Sequence, residues 1–119
     1  MTPSKLEKLL SQIRTAPDNE VLLQDRIAQI LAKDGIVFDR ECSTATGPVD
    51  FVIGDVALEI KTAGSPTAIA RQLIRYLNDD RFGSLILITT RPIALPVTEV
   101  ETDQGTKPIH VIDLWRNFL

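Results

Sequence analysis

The sequence predicts an α/β fold with a mixed central β-sheet flanked by helices, and three observations carry that prediction. Gly47-Pro48-Val49-Asp50-Phe51-Val52-Ile53 and Val56-Ala57-Leu58-Glu59-Ile60-Lys61 alternate on either side of Gly54-Asp55, the pattern of an antiparallel hairpin closed by a two-residue turn. Ser84 to Thr90 is a continuous apolar run ending in threonines, which suits a strand buried on both faces. Between these two lies a segment with apolar residues at helical spacing. That helix makes the connection a crossover and the sheet mixed.

Taken in order, Thr2-Pro3 reads as an N-cap followed by proline at the first helical position, and Leu6, Leu9, Leu10 and Ile13 continue a helix up to Ala16-Pro17. Asp18 or Asn19 caps a second helix that runs to about Asp34 and stops at Gly35, with Leu23, Ile27, Ile30 and Leu31 as its apolar stripe. Ile36 to Cys42 is expected as the first strand, with a polar turn from Ser43 to Gly47 leading into the hairpin. Gly64-Ser65-Pro66 ends the strand region and opens a third helix to about Asp79. Arg91 to Gln104, with two prolines and several acids, reads as a loop. Ile109 to Ile112 is the last strand, and Leu114 to Leu119 a short terminal helix. The expected order is α-α-β-β-β-α-β-β-α. One domain spans residues 1–119: an N-terminal helix over 1–17, a core over 18–90, and a loop, strand and helix over 91–119.

Composition narrows the function classes. A chain of 119 residues with 44% hydrophobic content supports a single core and argues against disorder. The longest apolar run, Leu85-Ile86-Leu87-Ile88, is too short to cross a bilayer. Met1-Thr2-Pro3-Ser4-Lys5 lacks a signal-peptide hydrophobic region, and no membrane partner is expected. A single cysteine, Cys42, rules out an internal disulfide and fits the reducing cytoplasm. With His110 the sole histidine, a zinc site has no ligand set. The net charge of −3, from 13 basic and 16 acidic residues, weighs against tight non-specific binding of nucleic acid.

Hairpin register supplies the candidate chemistry. With Ile53 facing Val56, Val52 facing Ala57 and Phe51 facing Leu58, Asp50 falls opposite Glu59. Alternation puts Val49, Phe51, Ile53, Val56, Leu58 and Ile60 on one apolar face and Asp50, Glu59 and Lys61 on the other. Two opposed carboxylates repel, and a divalent cation with a nearby lysine relieves that repulsion. Asp50, Glu59 and the backbone carbonyl of Ile60 are hard oxygen donors suited to Mg²⁺ or Mn²⁺. Lys61 can orient or deprotonate a water, or neutralise charge developing on a phosphate. Glu20 lies about 20° around its helix from Ile27 and from Leu31, hence toward the sheet, although an acid in a first turn also favours the helix dipole from solvent. Gln72 edges the stripe Ile69, Leu73, Tyr76 and Leu77, where an amide can hold a water or phosphate oxygen or simply bond to backbone. Arg71 and Arg75, four apart, form either a phosphate-facing stripe or a solvated face. Asp50, Glu59 and Lys61 likewise read either as a site or as a solvent-facing sheet with its acids relieved by lysine.

At these residues the chain resembles the PD-(D/E)XK nuclease superfamily: Pro48-Val49-Asp50, then Glu59-Ile60-Lys61 after a short hairpin, Glu20 on the preceding helix and Gln72 on the following one. Val49 separates the proline from the acid, which leaves the acid's position intact. The resemblance, over residues 18–90, implies a restriction-endonuclease-like core in which Asp50 and Glu59 bind Mg²⁺ or Mn²⁺, Lys61 assists the water, and a phosphodiester bond of DNA is hydrolysed. RNA is an equally open substrate. The absence of a separate recognition segment favours structure-dependent cutting or action inside a larger nucleic-acid-processing assembly, and economy points to a homodimer, since one site makes one cut. The competing reading is a non-catalytic module of the same fold that binds nucleic acid or protein.

Overall fold

A computed structural model of the chain describes residues 2–14 and 19–118. It is an α/β structure: α1 (Pro3–Leu10), α2 (Glu20–Lys33), β1 (Asp39–Thr44), β2 (Gly47–Ile53), β3 (Val56–Lys61), α3 (Pro66–Leu77), β4 (Ser84–Thr89), β5 (Glu99–Thr102), β6 (Gly105–Asp113) and a terminal 3₁₀ turn over Leu114–Phe118. The six strands form one mixed sheet in the order β1-β2-β3-β4-β6-β5. β1–β2 and β2–β3 pair antiparallel, β3–β4 and β4–β6 pair parallel, and β5 returns antiparallel on β6. No described helix is long and apolar enough to cross a membrane.

Local chemistry accounts for the elements. Thr2 caps α1, its hydroxyl accepting from the Lys5 N–H, with Pro3 behind it. α1 ends at Leu10, earlier than its apolar spacing predicts; the Ser11 N–H makes the last i→i−4 bond, to the Glu7 carbonyl, and its hydroxyl donates back to the Lys8 carbonyl. The expected continuation to Ala16-Pro17, and Asp18 as a cap, lie outside the described residues. Asn19 caps α2 through its side-chain oxygen. α2 ends in a Schellman motif, with Gly35 at φ 73° and the Ile36 N–H bonded to the Leu31 carbonyl. Ile36 therefore enters the core as part of that cap, which is why the first strand starts at Asp39 rather than Ile36. Gly54 at φ 60°, followed by Asp55 with an ordinary φ, is the type II′ signature that holds β2 against β3 in the expected register.

Each sheet face carries its own core. α1 and α2 cover one with Leu6, Leu10, Leu23, Ile27 and Leu31 against Phe51, Ile53, Val56, Leu58, Ile60, Ile86 and Ile88. α3 and the chain near Ile93, Leu95 and Val97 cover the other with Leu73, Tyr76 and Leu77 against Val49, Val52, Ala57, Leu85 and Leu87. Further expectations need correction: the last strand, expected over Ile109–Ile112, runs from Gly105 to Asp113. The loop expected over Arg91–Gln104 contains a sixth strand, β5, whose backbone completes the edge of the sheet beside β6. Its Glu-Val-Glu-Thr sequence buries only Val100, so it has no apolar signature. Val49 sits on the α3 face, opposite Phe51 and Ile53, not with them. β1 swaps faces at the same level: Arg40 turns to α2, and Cys42, two residues on, packs toward α3. Between them Glu41 takes a left-handed φ of 52°, opposite Asp50. For a glutamate this conformation costs of order 1–3 kcal/mol. β1 and β2 thus change faces at the Glu41–Asp50 level, and the candidate site forms there.

Candidate active site

The β2–β3 ladder pairs Phe51 with Leu58 and goes no further toward Asp50 and Glu59. Beyond it, side chains replace backbone bonds. The Ile60 N–H donates to Asp50 Oδ2 at 2.8 Å, and the Asp50 N–H donates to Glu59 Oε1 at 3.1 Å. The expected opposition of Asp50 and Glu59 thus becomes a pair of reciprocal carboxylate–backbone bonds across a gap between two strands. In an extended strand a residue's N–H and C=O point to the same side, so the Ile60 carbonyl also turns toward this gap.

Because the ladder opens there, Asp50 is reached from both layers. From α2, Gln24 Nε2 donates to Asp50 Oδ1 at 3.3 Å, while its Oε1 accepts from Arg40 Nη2 at 3.4 Å. Arg40 is itself anchored on Asp25 at 2.6 Å. On the α3 side, Glu59 is 3% exposed and its Oε2 lies 3.5 Å from Lys61 Nζ. Glu20, the first residue of α2, is half-buried and close enough to feel the charges of both Asp50 and Lys61. The Tyr76 hydroxyl donates to the Pro48 carbonyl at 2.8 Å and accepts from Gln72 Nε2 at 3.0 Å, so α3 pins the strand two residues before Asp50.

Electrostatics follow from that enclosure. Burial, then the Asp50 charge, raises the Glu59 carboxyl to about 7, with Lys61 and the Asp50 N–H pulling the other way. Burial also raises Asp50, opposed chiefly by the bond from the Ile60 N–H. Glu20 is raised by burial and by Asp50, and the Tyr76 phenol by burial and by Glu59. More negative charge is collected here than Lys61 alone neutralises.

The structure brings Asp50, Glu59, Ile60, Lys61 and Glu20 together. Gln72 joins through Tyr76 rather than by touching a carboxylate. Arg71 and Arg75 remain exposed on α3, Arg75 beside a hollow that also contains Asp79 and Asp80. Gln24, Arg40 and Tyr76 are contributors that sequence reasoning missed. Gln24, one turn after Glu20 in the inward stripe, carried a signal; Arg40 and Tyr76 became legible only through tertiary contacts. Thr89, level with Lys61 in register, donates to Asp113 at 3.1 Å and extends the polar edge along the C-terminal ends of the parallel strands.

Tyr76→Phe tests the clasp. It removes the donor of a partly buried hydrogen bond and should destabilise the protein by about 1 kcal/mol in urea unfolding, with no change in the slope against denaturant. A loss below about 0.3 kcal/mol would mean that the Pro48 bond holds nothing.

The fold and site together define a class: an α/β domain with paired acids and a lysine where two strands of a mixed sheet diverge. Protein-family models, curated proteins and solved structures give no match to the chain. The class therefore rests on geometry.

Proposed function

We propose that the protein is a metal-dependent nuclease with a restriction-endonuclease-like core, hydrolysing phosphodiester bonds of DNA in the cytoplasm. The observation that carries this reading is the pairing of half-buried Asp50 with buried Glu59, beside Lys61 and Glu20, at the gap where β2 leaves β3.

The donor set fits a hard divalent cation. Two carboxylates and the Ile60 carbonyl lie at one gap between strands, and burial together with the Asp50 charge raises the Glu59 carboxyl to about 7, a strain that a bound cation would relieve. Among the described residues no group of three or more His, Cys, Asp and Glu side chains is arranged around one point, so remaining positions would fall to water and substrate. Mg²⁺ or Mn²⁺ held by Asp50, Glu59 and Ile60 would supply Lewis-acid stabilisation of phosphate charge. Lys61 orients the attacking water or neutralises charge developing on the phosphate. Glu20 holds a further water at the mouth, and Gln72, through Tyr76, keeps the strand bearing Asp50 in place. RNA is the neighbouring substrate class, and a homodimer would place two such sites on a duplex.

One observation favours the non-catalytic alternative: every buried side-chain N and O atom among the described residues already has a partner. Supercoiled, linear, single-stranded and branched DNA, and an RNA hairpin, incubated with Mg²⁺, Mn²⁺ or chelator, separate the two. Metal-dependent nicking lost in Asp50→Ala and Lys61→Ala is the expected result. No cleavage of any substrate, with no metal binding by calorimetry, would replace the nuclease by a binding module.

A further inference from the structure

We infer that the groove between α1 and α2 is a docking surface for an acidic, amphipathic helix of a partner protein. The groove lies on the solvent side of the layer formed by these helices and does not depend on the carboxylate site. Its main hollow, about 540 Å³, is lined by Leu9 of α1 and by Arg26, Ile30 and Lys33 of α2; a smaller one of about 240 Å³ continues it past Lys5 and Lys8. Both meet at Leu9. Leu9 and Ile30 are only half-buried and pack on the core beneath, so they form an apolar floor between two basic banks.

Charge identifies the occupant. Lys5, Lys8, Arg26 and Lys33 are exposed, and no ion pair among the described residues engages any of them; the nearby Asp25 is committed to Arg40. Asp34 is the single acid lining either hollow. Elsewhere the chain is acidic: without these four cations and Asp34, nine basic residues remain of 13, against fifteen acidic of 16. A concentrated basic rim on an otherwise acidic protein selects an acidic ligand. The apolar floor then decides between ligand classes. A phosphate backbone gains nothing from Leu9 and Ile30, whereas a helix with leucines at i, i+3, i+4 and i+7 and glutamates beside them satisfies floor and rim together.

The test uses the full chain in chelator, which silences any nuclease activity. The probe is a fluorescent amphipathic peptide of about 18 residues, with leucines on one face and glutamates flanking them. Saturable binding is expected, weakened about tenfold by the surface variant Lys8→Glu/Lys33→Glu and by raising salt from about 0.05 to 0.3 M. A peptide with its leucines changed to serine should bind about tenfold more weakly. No binding of the leucine peptide, or equal binding of the serine peptide, overturns the proposal. So does binding of a random-sequence DNA duplex that is lost in the double variant while the peptide is unaffected, because the groove then reads phosphates. Thermal melting of the double variant confirms that it is folded.

Discussion

Glu59→Gln is expected to stabilise the protein at pH 8 by about 3 kcal/mol and, in the same protein, to abolish metal-dependent nicking. Its carboxyl titrates at about 7 when folded, against an ordinary value of 4.5. Between those values the folded protein retains a proton that the unfolded chain has released. Stability contributed by the protonated form is therefore complete below about pH 4.5, falls as pH rises, and levels off above about pH 7. Asp50 and Glu20, also raised, add to the slope in the same direction. Glutamine removes the titration. Its carbonyl can still accept from the Asp50 N–H. The melting temperatures of wild type and variant should converge near pH 5 and separate by about 10 °C at pH 8. A separation independent of pH would mean that Glu59 is ordinarily ionised and not the stressed member of the pair. If the stability gain appears while nicking persists, the carboxylate geometry is right and Glu59 is no metal ligand.

That coupling of instability to chemistry was half legible in the sequence. Gly54-Asp55 and the alternating residues around it specify one register between them, because a one-residue slip would turn a strand's apolar residues to the opposite face of the sheet. The inward direction of Glu20 follows from helical periodicity, since it shares a face with Ile27 and Leu31. What alternation does not encode is its own interruption. The left-handed backbone at Glu41 belongs to a residue type that ordinarily avoids it, so nothing local announces that β1 and β2 change faces there. The consequence is large: Asp50 leaves the ladder, bonds the Ile60 N–H, and becomes accessible to Gln24 from one layer and Glu59 from the other. β5 escapes for a different reason, because an edge strand with one inward residue carries no hydrophobic period. Local patterns gave the elements and their pairing; the site's geometry needed contacts between residues 10 to 28 positions apart.

Strain at Glu41 sits where the site forms, and the rest of the sheet around it is conventional. β3, β4 and β6 pair in regular parallel register, and β3 and β4 are buried on both faces. A rigid centre beside one twisted corner is an arrangement that can hold two carboxylates against their mutual repulsion. The carboxylate gap lies where β2 loses its pairing on both sides, opposite Glu41 of β1 and Glu59 of β3.

Lys107→Met should cost about 2–3 kcal/mol, although Met fills much of the same volume. Lys107 lies on β6, is 4% exposed, and carries its ammonium to the C-terminal end of α3, where Nζ donates to the Leu77 carbonyl at 2.8 Å and the Asp79 carbonyl at 3.1 Å. The last carbonyls of a helix lack intrahelical donors and carry the negative end of its dipole, so a buried cation there satisfies both demands at once. Methionine keeps the packing and recovers the cost of burying an ammonium, but leaves the Leu77 carbonyl without this donor; Asp79 retains the Phe82 N–H at 3.2 Å. The stability loss should appear in urea unfolding, and amide exchange should accelerate first at the end of α3. Tyr76 lies within that last turn, so fraying there loosens the bond to Pro48 and with it the strand that presents Asp50. Lys107→Met should therefore weaken metal binding measured by calorimetry even at temperatures where the protein remains folded. A variant that loses stability yet binds metal as the wild type does would show that α3 supports the core but not the site.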